Sequence, residues 1–188
     1  MSRLLFLDSV GQNQYPERLA KTGPFPLDAL AIPSRYPRPM GPLIPIETIT
    51  YGGHTLALIL RASFREPGVH FVTPDESAQQ VGYMHHPKGT VIEPHIHNEV
   101  ERRITVTQEV LLIRRGRLRV DFYDFERTYL ESRVLEEDDV ILLWTGGHGF
   151  EALDELEMIE VKQGPYAGGH DKIRFGAKPE KIILSKEI

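Results

Sequence analysis

The chain contains no cysteine in its 188 residues. That excludes a disulfide framework, a thiolate nucleophile and a cysteine-ligated zinc site, and it suits a cytoplasmic protein. Long apolar runs are also missing. Nothing approaches the ~20 consecutive apolar residues of a membrane span. The opening Met1-Ser-Arg-Leu-Leu-Phe-Leu-Asp8 is too short for a signal peptide, and no small-residue cleavage site follows it. A soluble protein without a membrane partner is therefore expected. Positive charge is scarce as well: the net charge is −5, which argues against a nucleic-acid partner. Arg114, Arg115, Arg117 and Arg119 do cluster, but around Gly116, and they read as a solvated hairpin turn. Helical periodicity is weak, with short helices conceivable only at residues 17–21 and 74–79.

What remains is β-rich and ordinary in bulk, 40% hydrophobic and 26% charged, with length for one domain and a core. Residues 1–42 stand apart. They hold seven of the 14 prolines, and proline both fixes φ and removes a ladder donor, so no central strand forms there. Leu4, Phe6, Phe25, Leu27, Leu30 and Ile32 nonetheless argue against full disorder. This segment reads as an extended N-terminal arm on its own barrel or on a neighbouring subunit. Residues 43–165 read as short strands divided by turns, at 44–51, 56–62, 69–72, 80–85, 90–97, 109–113, 118–123, 134–135, 140–144, 150–153 and 158–162. That density indicates an all-β sandwich or barrel. Residues 166–188 read as a loop-like tail with an edge strand at 181–185.

The chemistry centres on His95-Ile96-His97. In a strand, side chains alternate with period two, so both imidazoles would share a face. A carboxylate on the next strand, Glu109, and a third imidazole, His148, are candidates for the same spot. Three imidazoles and one carboxylate suit a first-row transition metal. The pair taken alone is equally consistent with two polar strand residues. Glu101 competes with Glu109 for the acidic place, but it precedes Arg102-Arg103 in what reads as exposed loop.

Gly89, five residues, His95-x-His97, then Glu109, six residues and Gly116 resemble the first signature motif of the cupin superfamily. The eleven residues between His97 and Glu109 exceed the usual gap and read as an enlarged loop. A second, degraded motif runs from Asp138-Asp139 to Trp144-Thr-Gly146-Gly147-His148. Asp138 replaces its opening glycine, Trp144 its proline and Ala152 its asparagine, and the spacing to His148 is one residue short. The likeness covers about residues 44–163, and its wording is similar to that of bacterial cupin-domain proteins. It implies a cupin-type jelly-roll barrel (a double-stranded β-helix) and one divalent transition metal per chain (Fe, Mn, Ni, Co or Zn) on His95, His97, Glu109 and His148. It also implies a homodimer.

By the same resemblance the expected function is metal-dependent action on a small-molecule ligand or substrate, of oxygenase or isomerase type. No general base is evident beyond the ligands, leaving His85, Tyr83 and Glu93 as catalytic candidates. Two other readings stay open: a small-molecule binding or sensing cupin without turnover, and a metal-free sugar epimerase. Arg61 is expected to reach solvent from a strand end, since a buried arginine needs an anionic partner. Ile159 and Val161 are expected to face inward, with Glu160 and Lys162 outward.

Overall fold

The computed structural model describes residues 44–165, 168–176, 179 and 181–184. Residues 1–42, on which the extended arm, the short helix conceivable at 17–21 and the expected burial of Leu4, Phe6, Phe25 and Leu27 fall, lie outside the described residues. Ten strands follow in chain order: β1 (Ile46–Tyr51), β2 (His54–Leu60), β3 (Gly68–Phe71), β4 (Gly82–His85), β5 (Glu109–Arg115), β6 (Leu118–Tyr123), β7 (Tyr129–Leu135), β8 (Val140–Leu143), β9 (Gly147–Ala152) and β10 (Glu157–Lys162). Among the described residues there is no α-helix, and no helix able to cross a membrane.

Every strand pair is antiparallel. The strands form a five-stranded sheet β1-β2-β8-β5-β10, a three-stranded sheet β7-β6-β9 and a separate pair β3-β4. Period-two alternation sends one face of each larger sheet into a common core. The five-stranded sheet contributes Ile49, Ile59, Leu111, Ile113 and Ile141, and the three-stranded sheet contributes Leu118, Val120, Phe122 and Leu135. Each fully buried side chain of this kind stabilises by roughly 1.5–3 kcal/mol. The result is an all-β, sandwich-like fold.

Gly116 does not close a hairpin, as its sequence context suggests. β5 pairs with β8 and β10, and β6 with β7 and β9, so the turn carries the chain from one sheet to the other. Alternating apolar residues on two successive strands look the same whether the strands are neighbours or face each other across a core. Gly116 sits at φ 82°, and a side chain there would collide with the Glu155 carbonyl oxygen. Both conditions call for glycine.

The arginines also depart from expectation. Arg61 follows β2 and turns inward, only 4% exposed. Its Nη1 donates to Asp139 Oδ2 at 2.9 Å and to the Val134 carbonyl at 2.8 Å, and its Nη2 donates to Glu47 Oε2 at 3.0 Å. Asp139 further accepts from the Ala62 and Glu136 amides at 2.8 and 3.0 Å. The anionic partner lies 78 residues away along the chain, which is why local sequence gives no sign of it. Glu47 of edge strand β1 also accepts from Arg133 of edge strand β7, so an ionic clamp joins the two sheets along that side. Arg119 is no turn residue either. It is buried, forks onto Asp121 at 2.8 and 2.9 Å, and pairs with Glu151 of β9.

Residues 74–79 form turns, not a helix. The Gln80 amide donates to the Pro74, Asp75 and Ser77 carbonyls and so takes up the acceptors a helix would have used. In the tail, the edge strand expected at 181–185 is reduced to one parallel bridge, Leu184 to Ser132, with the Ser132 amide donating to the Ile183 carbonyl at 2.8 Å.

Removing one partner of a buried pair leaves an uncompensated charge. Asp139→Ala should therefore cost about 3–5 kcal/mol in urea unfolding, whereas Arg115→Ala, which breaks an exposed pair with Glu155, should change stability by no more than about 1 kcal/mol. Equal effects from the two substitutions would show that the Arg61–Asp139 pair does not hold the fold.

Candidate functional site

Glu109 opens β5 and shares its inward face with Leu111 and Ile113, so alternation carries a carboxylate into the space between the sheets. His148 lies on β9 directly across from Phe122, again on the core-facing side. The two meet from opposite sheets, His148 Nε2 to Glu109 Oε2 at 3.1 Å. Glu109 is buried and His148 half-buried. Among the described residues, β9 and β10 each pair on one side alone, with β6 and β5. The carboxylate and the imidazole therefore sit toward the β9 and β10 edges of the two sheets, on the side away from the β1 and β7 edges that the Glu47 clamp joins.

The other carboxylate oxygen faces an amine. Lys162 of β10 is the cross-strand partner of Glu109, and its Nζ lies 3.9 Å from Glu109 Oε1. The same ammonium lies 3.4 Å from Glu160 and 3.7 Å from Asp171. Asp171 in turn accepts from the Thr107 hydroxyl at 2.8 Å, beside the start of β5. This reverses the expected parity of β10. Glu160 pairs with Leu111 and Lys162 with Glu109, so the charged residues take the inner face, while Ile159 and Val161 are exposed. Apolar-in, polar-out holds where the inner face is shielded from solvent; on β10 Glu160 is itself exposed and Lys162 half-buried.

The environment sets the charge state. The hydrogen bond from His148 holds the Glu109 carboxyl below its usual range; burial opposes this, and the charges of His148, Lys172 and Lys162 reinforce it. Burial disfavours the Lys162 ammonium, yet Glu160, Glu109 and Asp171 outweigh it and raise that amine above an ordinary lysine. At neutral pH the pair is an ionised carboxylate and an ammonium.

His95 and His97 lie elsewhere. The strand expected at 90–97 does not form; residues 86–108 are irregular and, up to Thr107, exposed. Pro94 supplies no donor, and the Thr90 amide turns back to the Pro87 carbonyl. His95 Nδ1 lies 2.9 Å from the Glu93 carbonyl, and the two imidazole rings meet edge-on, 5.1 Å between centroids. Ile96 between them is 94% exposed. Among the described residues, no group of three or more histidines and carboxylates is close enough to hold an ion. The four candidate ligands thus form two separate halves. Of the two acidic candidates, Glu109 lies beside His148, and Glu101 is exposed in the loop.

The catalytic candidates are also apart from this pair. Tyr83 is half-buried on β4 against Phe64, 5.0 Å between centroids. His85 is exposed, its Nδ1 3.3 Å from the Arg65 carbonyl, and Glu93 is exposed in the loop. Lys162 and Asp171 are the site neighbours that sequence reasoning missed. Strand parity counted from Glu109 across an antiparallel pair would have indicated Lys162, had the β5–β10 pairing been known.

Comparison with family models, with curated proteins and with solved structures returns no match.

A depressed carboxylate contributes stability that is present above its unfolded pKa, about 4.3, and lost as pH falls through the lower folded value. Urea midpoints of the parent should therefore fall more steeply below about pH 4.3 than those of Glu109→Gln. Parallel acid limbs would show that the His148 contact does not form in solution.

Proposed function

We propose that this chain is a metal-binding protein of cupin type, a jelly-roll barrel that acts on a small molecule through Glu109, His148, His95 and His97. The observation that carries the reading is the meeting of Glu109 and His148 from opposite sheets, on the side of β9 and β10. A carboxylate oxygen and an imidazole nitrogen already converging from the interior suit a divalent transition ion. His95 and His97 belong to the exposed segment, and joining that segment to the half-site is part of the proposal. Among the described residues β9, the strand that bears His148, pairs on one side with β6 alone, and an added strand would pair on its other side. The exposed loop has apolar side chains, Val91, Ile92 and Ile96, that lack cover.

The backbone supports the resemblance at the motif positions. Gly89, Gly116 and Gly146 all have positive φ, and Asp138, standing where the family has glycine, adopts φ 66°. Aspartate tolerates this left-handed region better than most residues.

A bound divalent ion supplies Lewis-acid activation of an oxygen or a water. The chain's own residues do the rest. Glu109 and His148 orient each other from two sheets, Lys162 holds the second carboxylate oxygen, and Leu143 lies across from Glu109 within the same sheet. The Glu109–His148 hydrogen bond also favours a second reading. A carboxylate that orients an imidazole is an acid–base pair, which fits metal-free epimerase chemistry. A homodimer belongs to the proposal as well. Val69, Phe71 and Met84 form an exposed apolar face on the β3–β4 pair that a second copy would cover.

Full-length protein should carry up to about one divalent ion per chain. His95→Ala or His97→Ala should remove most of it, and Glu109→Gln should weaken uptake more than Glu101→Gln. Hydrogen exchange across residues 90–98 should slow when Mn²⁺ or Co²⁺ is added to the parent and stay fast in His148→Ala. An unchanged metal content in both histidine variants would remove the metal assignment and leave the acid–base reading. On light scattering, Phe71→Asp should convert a dimer to monomers; a monomeric parent would remove the dimer from the proposal.

A further inference from the structure

A short stretch of the tail touches both sheets. The 3₁₀ helix Gly168–Asp171 ends on a carboxylate. Asp171 accepts from the Thr107 hydroxyl at 2.8 Å, beside the start of β5, and lies 3.7 Å from the Lys162 ammonium of β10. Both partners belong to the five-stranded side. Phe175, soon after, lies against the three-stranded sheet. Its ring meets Tyr123 of β6 edge-on, 5.2 Å between centroids, with the Arg127 guanidinium 6.0 Å from its centre. The same ring covers Gly147 of β9, where an added Cβ would stand 3.1 Å from it. Gly147 precedes His148, and Lys162 lies 3.9 Å from Glu109. The stretch thus holds a neighbour of each member of the pair. The attachment is light. No residue of the 3₁₀ helix is buried, and Lys172, Ile173 and Arg174 are exposed. Segments held by so few buried contacts open at a fraction of the free energy of global unfolding. The pair beside it is sheltered: Glu109 is 8% exposed and His148 half-buried.

We propose that residues 168–175 are a strap across the candidate site, and that its release from Gly147 and Lys162 admits a small molecule to the Glu109–His148 pair. The inference takes from the proposed function only that this pair is the site; it needs neither a metal nor a chosen reaction. Closed, the strap ties the two sheets together beside the pair, as Glu47 and Arg133 tie them along β1 and β7, and keeps solvent from it. Open, it uncovers the side chains of His148 and Lys162. Glycine at 147 leaves room for the Phe175 ring to close on the strand. Asp171 fastens the other end by two polar contacts that water can replace at little cost. Lids of this kind let a site take in its ligand and then exclude water from it. Asp171 and Phe175 are positioning residues and do not themselves meet the ligand.

The test is labelling of the full-length chain with diethyl pyrocarbonate at neutral pH. Mass spectrometry reads modification of His148 relative to the exposed His85, and hydrogen exchange along β2 monitors the core. Phe175→Ala and Asp171→Ala should raise the ratio about five-fold, by shifting the local opening equilibrium. Thr107→Val, isosteric and outside the strap, should raise it in the same direction. Phe175→Tyr keeps the ring and should match the parent. Protection along β2 should stay at the parent's level in all four. An unchanged ratio in either alanine variant overturns the strap, and so does a rise matched by an equal loss of protection along β2. The labelling is separate from metal content. A chain that takes up no ion yet shows the rise loses the metal reading and keeps the strap; one that takes up an ion without the rise loses the strap alone.

Discussion

Two sheets share one interior, and the alternation of side chains along each strand decides what enters it. The same parity that buries Leu111 and Ile113 on β5 forces Glu109 into the gap, and the parity that buries Phe122 brings His148 in from the facing sheet. A carboxylate placed in an apolar interior by register needs a partner there, since an unpaired buried charge is costly. His148 and Lys162 supply it. The candidate site is thus a consequence of the core: moving either strand by one residue would turn the pair outward and expose the apolar side chains with it.

The two sides of the sandwich handle charge differently. Along β1 and β7, Glu47, Arg61, Arg133 and Asp139 form a largely satisfied network across the sheets. Several acceptors share each guanidinium, and the backbone amides of Ala62 and Glu136 complete Asp139. That arrangement ties β1 to β7 across the two sheets. At β10 the ion pairs of Lys162 are longer, with ammonium–carboxylate separations of 3.4–3.9 Å. The candidate site lies on the side where carboxylates share one ammonium at these longer distances.

The exposed segment 86–108 ends on this side. It contains the His95–His97 pair and a series of uncovered aliphatic side chains, while Thr107 at its end is tied to Asp171 and the neighbouring Gln108 amide donates to the Gln163 side chain. An anchored loop with exposed apolar residues has a reason to dock. This is why the metal proposal and the completion of the barrel are one question.

Much was legible in the residues alone. Local alternation and turn chemistry placed β1, β2, β5, β6, β8 and β10 within one or two residues of their bounds, because burying one face of a strand writes itself into a period of two. The all-β class followed from the same signal. Glu109 and His148 could be singled out as candidates by residue type and by the resemblance of their spacing, and they do meet. What only the tertiary structure decided was pairing. Whether Gly116 closes a hairpin or crosses between sheets, whether Arg61 finds Asp139, and which face of β10 holds Lys162 all depend on strands far apart in sequence. A local pattern records that a face is buried, not against what, and charges meet across a core through register, which no single strand carries.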